Sequence, residues 1–177
     1  EPEQLLSISA RAVFAANQAV REAAAESEAY QNMGTTLVAA VSYAGGTVVT
    51  NVGDSRAYHV TREGITRVTK DHSLVERMVD RGDITAEEAR RHPSRNLITR
   101  ALGPDADAQC DGYICPMESG EYLLLCTDGL VNTVTDQEML FEVIHGAEPD
   151  TSLDRMLEIA KKQGAPDNVT AVLMRKL

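Results

Sequence analysis

Between residues 36 and 68 the chain carries four short segments rich in β-branched residues, joined by turns too short to hold a helix. Thr36–Tyr43, Thr47–Val52, Arg56–Val60 and Ile65–Val68 read as strands, with Ala44-Gly45-Gly46 and Glu63-Gly64 as tight turns. Parallel neighbours need crossovers of a dozen residues or more, so these strands must pair antiparallel. The spacing predicts an antiparallel meander.

The remaining segments group rather than alternate. Residues Glu3 to about Glu28 carry Leu6, Ala10, Val13, Val20 and Ala24 at helical spacing and read as one long helix. Asn17 falls on the same stripe, either as a buried hydrogen-bonding group or at the edge of the apolar face. Ser73 to Arg81 reads as a short helix stopped by Gly82, and Thr85 with Glu88 forms a capping box that opens another, ended by His92-Pro93. Asn96 to Leu102 is irregular, and residues 104–112 form a loop leading into a strand. Tyr122–Cys126 is apolar throughout and predicts a strand buried on both faces, which stops at Thr127-Asp128-Gly129. Helices follow at about Asp136–Ile144 and Thr151–Lys162, then a last strand over Asn168–Met174. Grouped strands and grouped helices indicate an α+β layered sandwich in one domain, not an alternating parallel sheet.

Composition narrows the function classes. With 17 Lys and Arg against 27 Asp and Glu, the net charge of -10 argues against a nucleic-acid partner, which needs a basic face. No apolar run approaches the ~20 residues required to cross a bilayer. Cys110, Cys115 and Cys126 are odd in number and lack CxxC spacing, so they predict reduced, mostly buried thiols and neither a disulfide framework nor a zinc site. No P-loop or GxGxxG occurs. No charged segment followed by an apolar stretch marks a signal peptide, and the first residue is Glu1, as at a fragment boundary or a processed end.

Three aspartates stand where strands end. Asp54 follows Asn51-Val52-Gly53, Asp128 follows the most buried strand, and Asp167 precedes the last one. Strand-end carboxylates are held rigidly at the rim of a sheet, and hard cations such as Mg²⁺ and Mn²⁺ take such oxygen ligands with water filling the remaining positions. Each, taken singly, is also an ordinary turn residue, because Asp-Gly and Asp-Asn favour turns on conformational grounds alone. Asp71, in Thr69-Lys70-Asp71-His72-Ser73, could be the N-cap of the following helix. The adjacent Asp-His-Ser cannot form a hydrolytic triad, whose serial hydrogen bonds need residues from separate elements.

Five segments then occur in a telling order. They are Met33-Gly34-Thr35-Thr36-Leu37-Val38, Asn51-Val52-Gly53-Asp54-Ser55-Arg56-Ala57-Tyr58, Thr69-Lys70-Asp71-His72-Ser73-Leu74-Val75, Cys126-Thr127-Asp128-Gly129-Leu130 and Pro166-Asp167-Asn168-Val169-Thr170. The series resembles the metal-dependent protein serine/threonine phosphatases of type 2C, in their short bacterial form. The resemblance implies an α-β-β-α sandwich of two antiparallel sheets flanked by helices. It implies hydrolysis of phosphoserine and phosphothreonine by a water bridging two Mn²⁺ or Mg²⁺ ions, with no protein nucleophile. Asp128 and Asp167 are the implied ligands of the metal pair, and Asp71 an implied ligand of a third, weaker ion together with Asp128. Gly53, Asp54 and Arg56, with Gly129 and Asn168, match positions that are structural in the family. Residues of about 74–98 match a mobile flap that influences substrate choice. Cytoplasmic phosphoproteins, the targets of a bacterial serine/threonine kinase, are the implied partners.

The family's pattern also includes a phosphate-binding Arg, an Asn-Glu-Asp motif and an Asp-Gly-x-Gly-Gly motif, none of which is found here. The expectation is therefore an N-terminally incomplete catalytic domain, short of some strands and ligands. The alternative is a non-catalytic phosphatase-like module that binds partners or senses phosphorylation.

Overall fold

The computed structural model describes residues 1–146 and 149–177. Helix α1 (Pro2–Ala25) leads through a 3₁₀ turn (Glu28–Tyr30) into β1 (Leu37–Tyr43), β2 (Gly46–Val52), β3 (Arg56–Thr61) and β4 (Gly64–Arg67). Helices α2 (Leu74–Asp80) and α3 (Ala86–Arg91) follow, then β5 (Asp111–Pro116), β6 (Tyr122–Cys126), α4 (Asp128–Val131), α5 (Asp136–His145), α6 (Pro149–Lys162) and β7 (Ala171–Arg175). All strand pairs are antiparallel.

The four early strands do not form one meander. β1 and β2 join β5 in a three-stranded sheet of order β1-β2-β5, whereas β3 and β4 belong to a four-stranded sheet of order β4-β3-β6-β7. The link Gly53–Ser55 carries the chain from one sheet to the other instead of closing a hairpin. Gly53 makes the crossing with φ +107°, and a Cβ there would lie 2.4 Å from the Thr36 methyl carbon, so both the backbone angle and the space demand glycine.

Strand alternation builds the layers. Val49 of β2, Ala57 of β3, Cys115 of β5 and Leu123 of β6 face one another between the sheets. The neighbouring positions Tyr58, Val60, Leu124 and Cys126 point the other way and bury against Met139 and Val143 of α5 and Met156 and Ala160 of α6. On the opposite side Val52 packs against Val13 of α1 and Leu102. The result is the α-β-β-α order of layers expected from the sequence. Burial of Leu123, Leu124 and Cys126 bears out the reading of β6 as covered on both faces.

Asn17 is a buried hydrogen-bonding group and not an edge residue. It is fully enclosed, donates from Nδ2 to the carbonyl of Asp105 at 2.9 Å, and accepts at Oδ1 from the Gly103 amide at 2.7 Å. It thereby ties α1 to the irregular loop before β5. The capping box of Thr85 and Glu88 is present at α3. The N-cap of α2 is Ser73, whose Oγ accepts from the Glu76 amide at 3.2 Å, and not Asp71. A cap must directly precede the first helical residue, and that residue is Leu74. The last strand pairs only from Ala171, because residues 166–170 are spent in the turn that carries Asp167. Among the described residues no helix is long and apolar enough to cross a membrane.

Candidate functional site

The antiparallel pairing of β6 with β7 decides where two of the aspartates meet. Cys126 lies opposite Ala171, so the residue runs just beyond them, 127–129 and 167–170, share one end of the four-stranded sheet. The contact continues past the strands. The Thr127 amide donates to the Thr170 carbonyl at 3.0 Å, and the Thr170 amide donates back to the Thr127 hydroxyl at 3.0 Å. Gly129 abuts the Asn168 backbone so closely that a Cβ would sit 2.2 Å from its carbonyl oxygen. Replacing Gly129 by Ala should therefore cost about 1–3 kcal/mol of stability, the range for overpacked interiors, as read by denaturant unfolding. A Gly129→Ala protein as stable as wild type would show that the two runs do not touch this way.

Asp128 opens the short helix α4 directly after β6, and Asp167 precedes β7 and accepts from the Asn168 amide at 2.7 Å. Burial, followed by the charge of Asp167, pushes the Asp128 carboxyl above the usual carboxylate range. Asp54 joins them from the sheet crossing. Burial first, then the charge of Asp128 and to a lesser degree that of Asp71, push Asp54 up to about 6. Three strand-end carboxyl groups are thus electrostatically linked through Asp128. Among the described residues, however, no three His, Cys, Asp or Glu side chains converge closely enough to hold a metal ion between them.

Asp71 is committed elsewhere. It is buried, and Arg56 grips both of its oxygens, with Nε 2.9 Å from Oδ1 and Nη2 2.7 Å from Oδ2. Arg67 stands 3.8 Å away on the other side. Burial opposes the charge of Arg56, but hydrogen bonding and attraction from Asp71 outweigh it and hold the guanidinium firmly protonated. Arg56 also donates to the Tyr58 hydroxyl at 3.1 Å. The sequence reading placed Asp71 with Asp128 and treated Asp54 as structural. In the structure Asp128 exerts the largest charge effect on Asp54, and Asp71 is the counterion of Arg56.

From sequence, His72 was weighed only as part of an adjacent Asp-His-Ser triad and set aside. It is buried beside this cluster, between Gly53 and Asp111. The signal was available in principle, because a histidine next to Asp71 and ahead of a Ser cap sits in a segment of otherwise turn-forming residues. Burial works against ionisation of Asp111, but hydrogen bonds from His72 and Arg100 hold its carboxyl below the usual range.

The elevated Asp54 carboxyl has a consequence for stability without divalent cations. Its unfolded pKa is about 3.9, whereas in the fold it ionises near 6. The native state therefore binds more protons between those values, and stability falls as pH rises from about 4 through 6. Asp54→Asn removes that loss. In EDTA its melting temperature should gain on wild type between pH 4 and pH 8, and a gap that stays constant across this range would contradict the shift.

These observations converge with likeness to known proteins. The family model for protein phosphatase 2C matches residues 2–174. The chain belongs to the protein phosphatase 2C family. It is 38% identical over 153 residues to the serine/threonine phosphatase stp of Listeria innocua, covering 86% of this chain and 61% of that protein. It thus spans less than two thirds of that relative's length. The crystal structure of the serine/threonine phosphatase Stp1 from Staphylococcus aureus superposes with a TM-score of 0.94 at 34% identity, over 100% of this chain and 69% of that one. The catalytic domain of the phosphatase PstP, solved in complex with two manganese ions, superposes with a TM-score of 0.83 at 35% identity, over 96% and 70% of the two chains. The fold of this phosphatase-family chain is accordingly the α+β sandwich expected from its sequence.

Proposed function

We propose that the protein hydrolyses phosphoserine and phosphothreonine in proteins, with Mn²⁺ or Mg²⁺ held at the sandwich end where Asp128 and Asp167 meet. The carrying observation is that the β6–β7 register and the Thr127–Thr170 bonds unite two carboxylates 39 positions apart in sequence, close enough for one to raise the other. The donors fit the ion. Carboxylate oxygens at a partly open rim suit hard divalent cations that keep several waters. Asp128 and Asp167 would hold the metal pair together with donors beyond these residues. Asp54, which shares its field with Asp128, is better placed for the weaker third ion than Asp71, whose oxygens serve Arg56.

When bound, such ions activate a water for in-line attack on phosphorus and offset charge on the phosphate oxygens. The chain's own part is to fix the carboxylates. Thr127 and Thr170 lock the two strand ends, Gly129 lets them approach, and the crossing at Gly53 delivers Asp54. Cysteine nucleophiles have no support. Burial pushes the thiols of Cys110 and Cys115 upward and that of Cys126 to about 12, so none is a ready thiolate. The segment at about 74–98 leaves from Ser73 and returns by a bridge from Ser73 to Ile98 and a bond from the Thr99 amide to the His72 carbonyl. Both ends of it stand beside the acidic cluster, which supports its reading as a flap over substrate. Cytoplasmic targets of a bacterial serine/threonine kinase are the proposed substrates.

The test is phosphate release by the full chain from phosphoserine, phosphothreonine and phosphotyrosine peptides. We expect Mn²⁺-dependent release from the first two, abolished by EDTA and nearly so by Asp128→Asn. Peptide binding without release would instead favour a non-catalytic module that senses phosphorylation.

A further inference from the structure

Gly53 is where the chain changes sheets, and its peptide groups are unusually fully engaged. Its carbonyl accepts from the His72 amide at 2.9 Å and from Asn51 Nδ2 at 3.2 Å. Its amide donates to Nδ1 of the His72 ring at 3.0 Å. The same Asn51 Nδ2 reaches the Lys70 carbonyl at 3.2 Å, so segments 51–53 and 70–72 are knitted by three bonds. Glycine reaches φ +107° without steric cost, and these bonds select that conformation.

The hydrogen-bond pattern assigns the tautomer. Nδ1 accepts, so in the neutral ring the proton lies on Nε2, which donates to Asp111 Oδ2 at 3.1 Å. Asp111 is braced in turn by Arg100 Nη1, 2.8 Å from Oδ1. Arg100 Nη1 also lies 3.2 Å from Nε2, a contact without a shared proton in this tautomer. A chain of fixed groups thus runs from Arg100 on the return of the flap, through Asp111 on β5 and the His72 ring, to Gly53, and the next residue is Asp54.

We propose that His72 is a positioning residue whose Nε2-protonated ring fixes the Gly53 turn and so holds the Asp54 carboxylate beside Asp128. The inference rests on the proposed cation site. It adds that occupancy of the Asp54 side depends on an acceptor at the δ position of residue 72. A ring that served only stability would affect folding and leave the cation affinity of the folded protein unchanged.

Three variants separate these roles. Asn places an acceptor oxygen where Nδ1 stands, Gln places a polar group toward Asp111 but no δ acceptor, and Ala provides neither. Calorimetric titration with Mn²⁺ on the folded proteins should find His72→Asn within about threefold of wild-type affinity, with His72→Gln and His72→Ala weakened about tenfold or more, as for lost outer-shell partners of a metal site. All three should melt lower in EDTA. Nitrogen-15 NMR of the wild-type ring should show Nδ1 bare and Nε2 protonated. The inference is overturned if folded His72→Ala or His72→Gln binds Mn²⁺ as tightly as wild type, or if Nδ1 carries the proton. If wild type binds no Mn²⁺, the cation reading itself has failed. The role of His72 is then decided by the ring assignment and by Gly53 amide exchange, which must accelerate in His72→Gln and His72→Ala but not in His72→Asn.

Discussion

Mn²⁺ at a hundredfold excess over its dissociation constant should stabilise the chain by roughly 2.7 kcal/mol if it binds only the folded state. For a protein of this length that is a rise of about 5–10 °C in melting temperature. The physical source is the mutual field of Asp54, Asp128 and Asp167, which a divalent cation relieves. Asp128→Asn should remove most of the rise, because Asp128 is the carboxylate linked to both of the others. Asp54→Asn should remove part of it. Asp71→Asn should leave the Mn²⁺ response in place while lowering the starting stability. A melting curve indifferent to millimolar Mn²⁺ would move the catalytic proposal away from these residues, and equal responses in wild type and Asp128→Asn would sink the ligand assignment.

The largest loss in metal-free stability is expected from Arg56→Met. Removing one partner of a buried ion pair strands the other charge, at a cost of about 3–5 kcal/mol. The lower end applies here, since the Arg56 side chain retains 23% exposure while that of Asp71 retains 7%. Arg67, 3.8 Å from Asp71, offers only partial relief. The double variant Arg56→Met/Asp71→Leu should recover most of the loss, because it removes the stranded carboxylate as well. Urea unfolding of the single and double variants reads the comparison directly. A single variant no worse than the double would show that the pair contributes packing and not charge.

Much of this arrangement could be read from local chemistry. Thr85 and Glu88 announced their capping box because both bonds of that motif span three residues. The unbroken apolar run Tyr122–Cys126 announced a strand covered on both faces. The layers followed from grouping strands and helices. The sheet assignment of β2 and β3 was hidden, because a three-residue link and a hairpin look alike until the backbone angle of Gly53 is known. The ion pair of Asp71 was hidden for a related reason. Its partner Arg56 lies 15 residues away, and no local spacing rule reveals that a carboxylate already has an arginine counterion. The electrostatic coupling of Asp54 was equally hidden, because Asp128, whose charge acts on it, is a neighbour in space alone.

The sheet crossing at Gly53 also sets an order of events during synthesis. The β1–β2 and β3–β4 hairpins are local and can close on the microsecond scale. Among the described strands, β2 and β3 find their second partners only in β5 and β6, later in the chain, and Thr47 meets Met117 across a separation of 70 positions. Such distant pairings place assembly in the slow, millisecond-to-second regime. Until synthesis passes residue 110, β2 and β3 lack their partners β5 and β6, and such unpaired edges favour misassociation. The acidic cluster is the last feature to form, when β7 docks on β6 and brings Asp167 to Asp128.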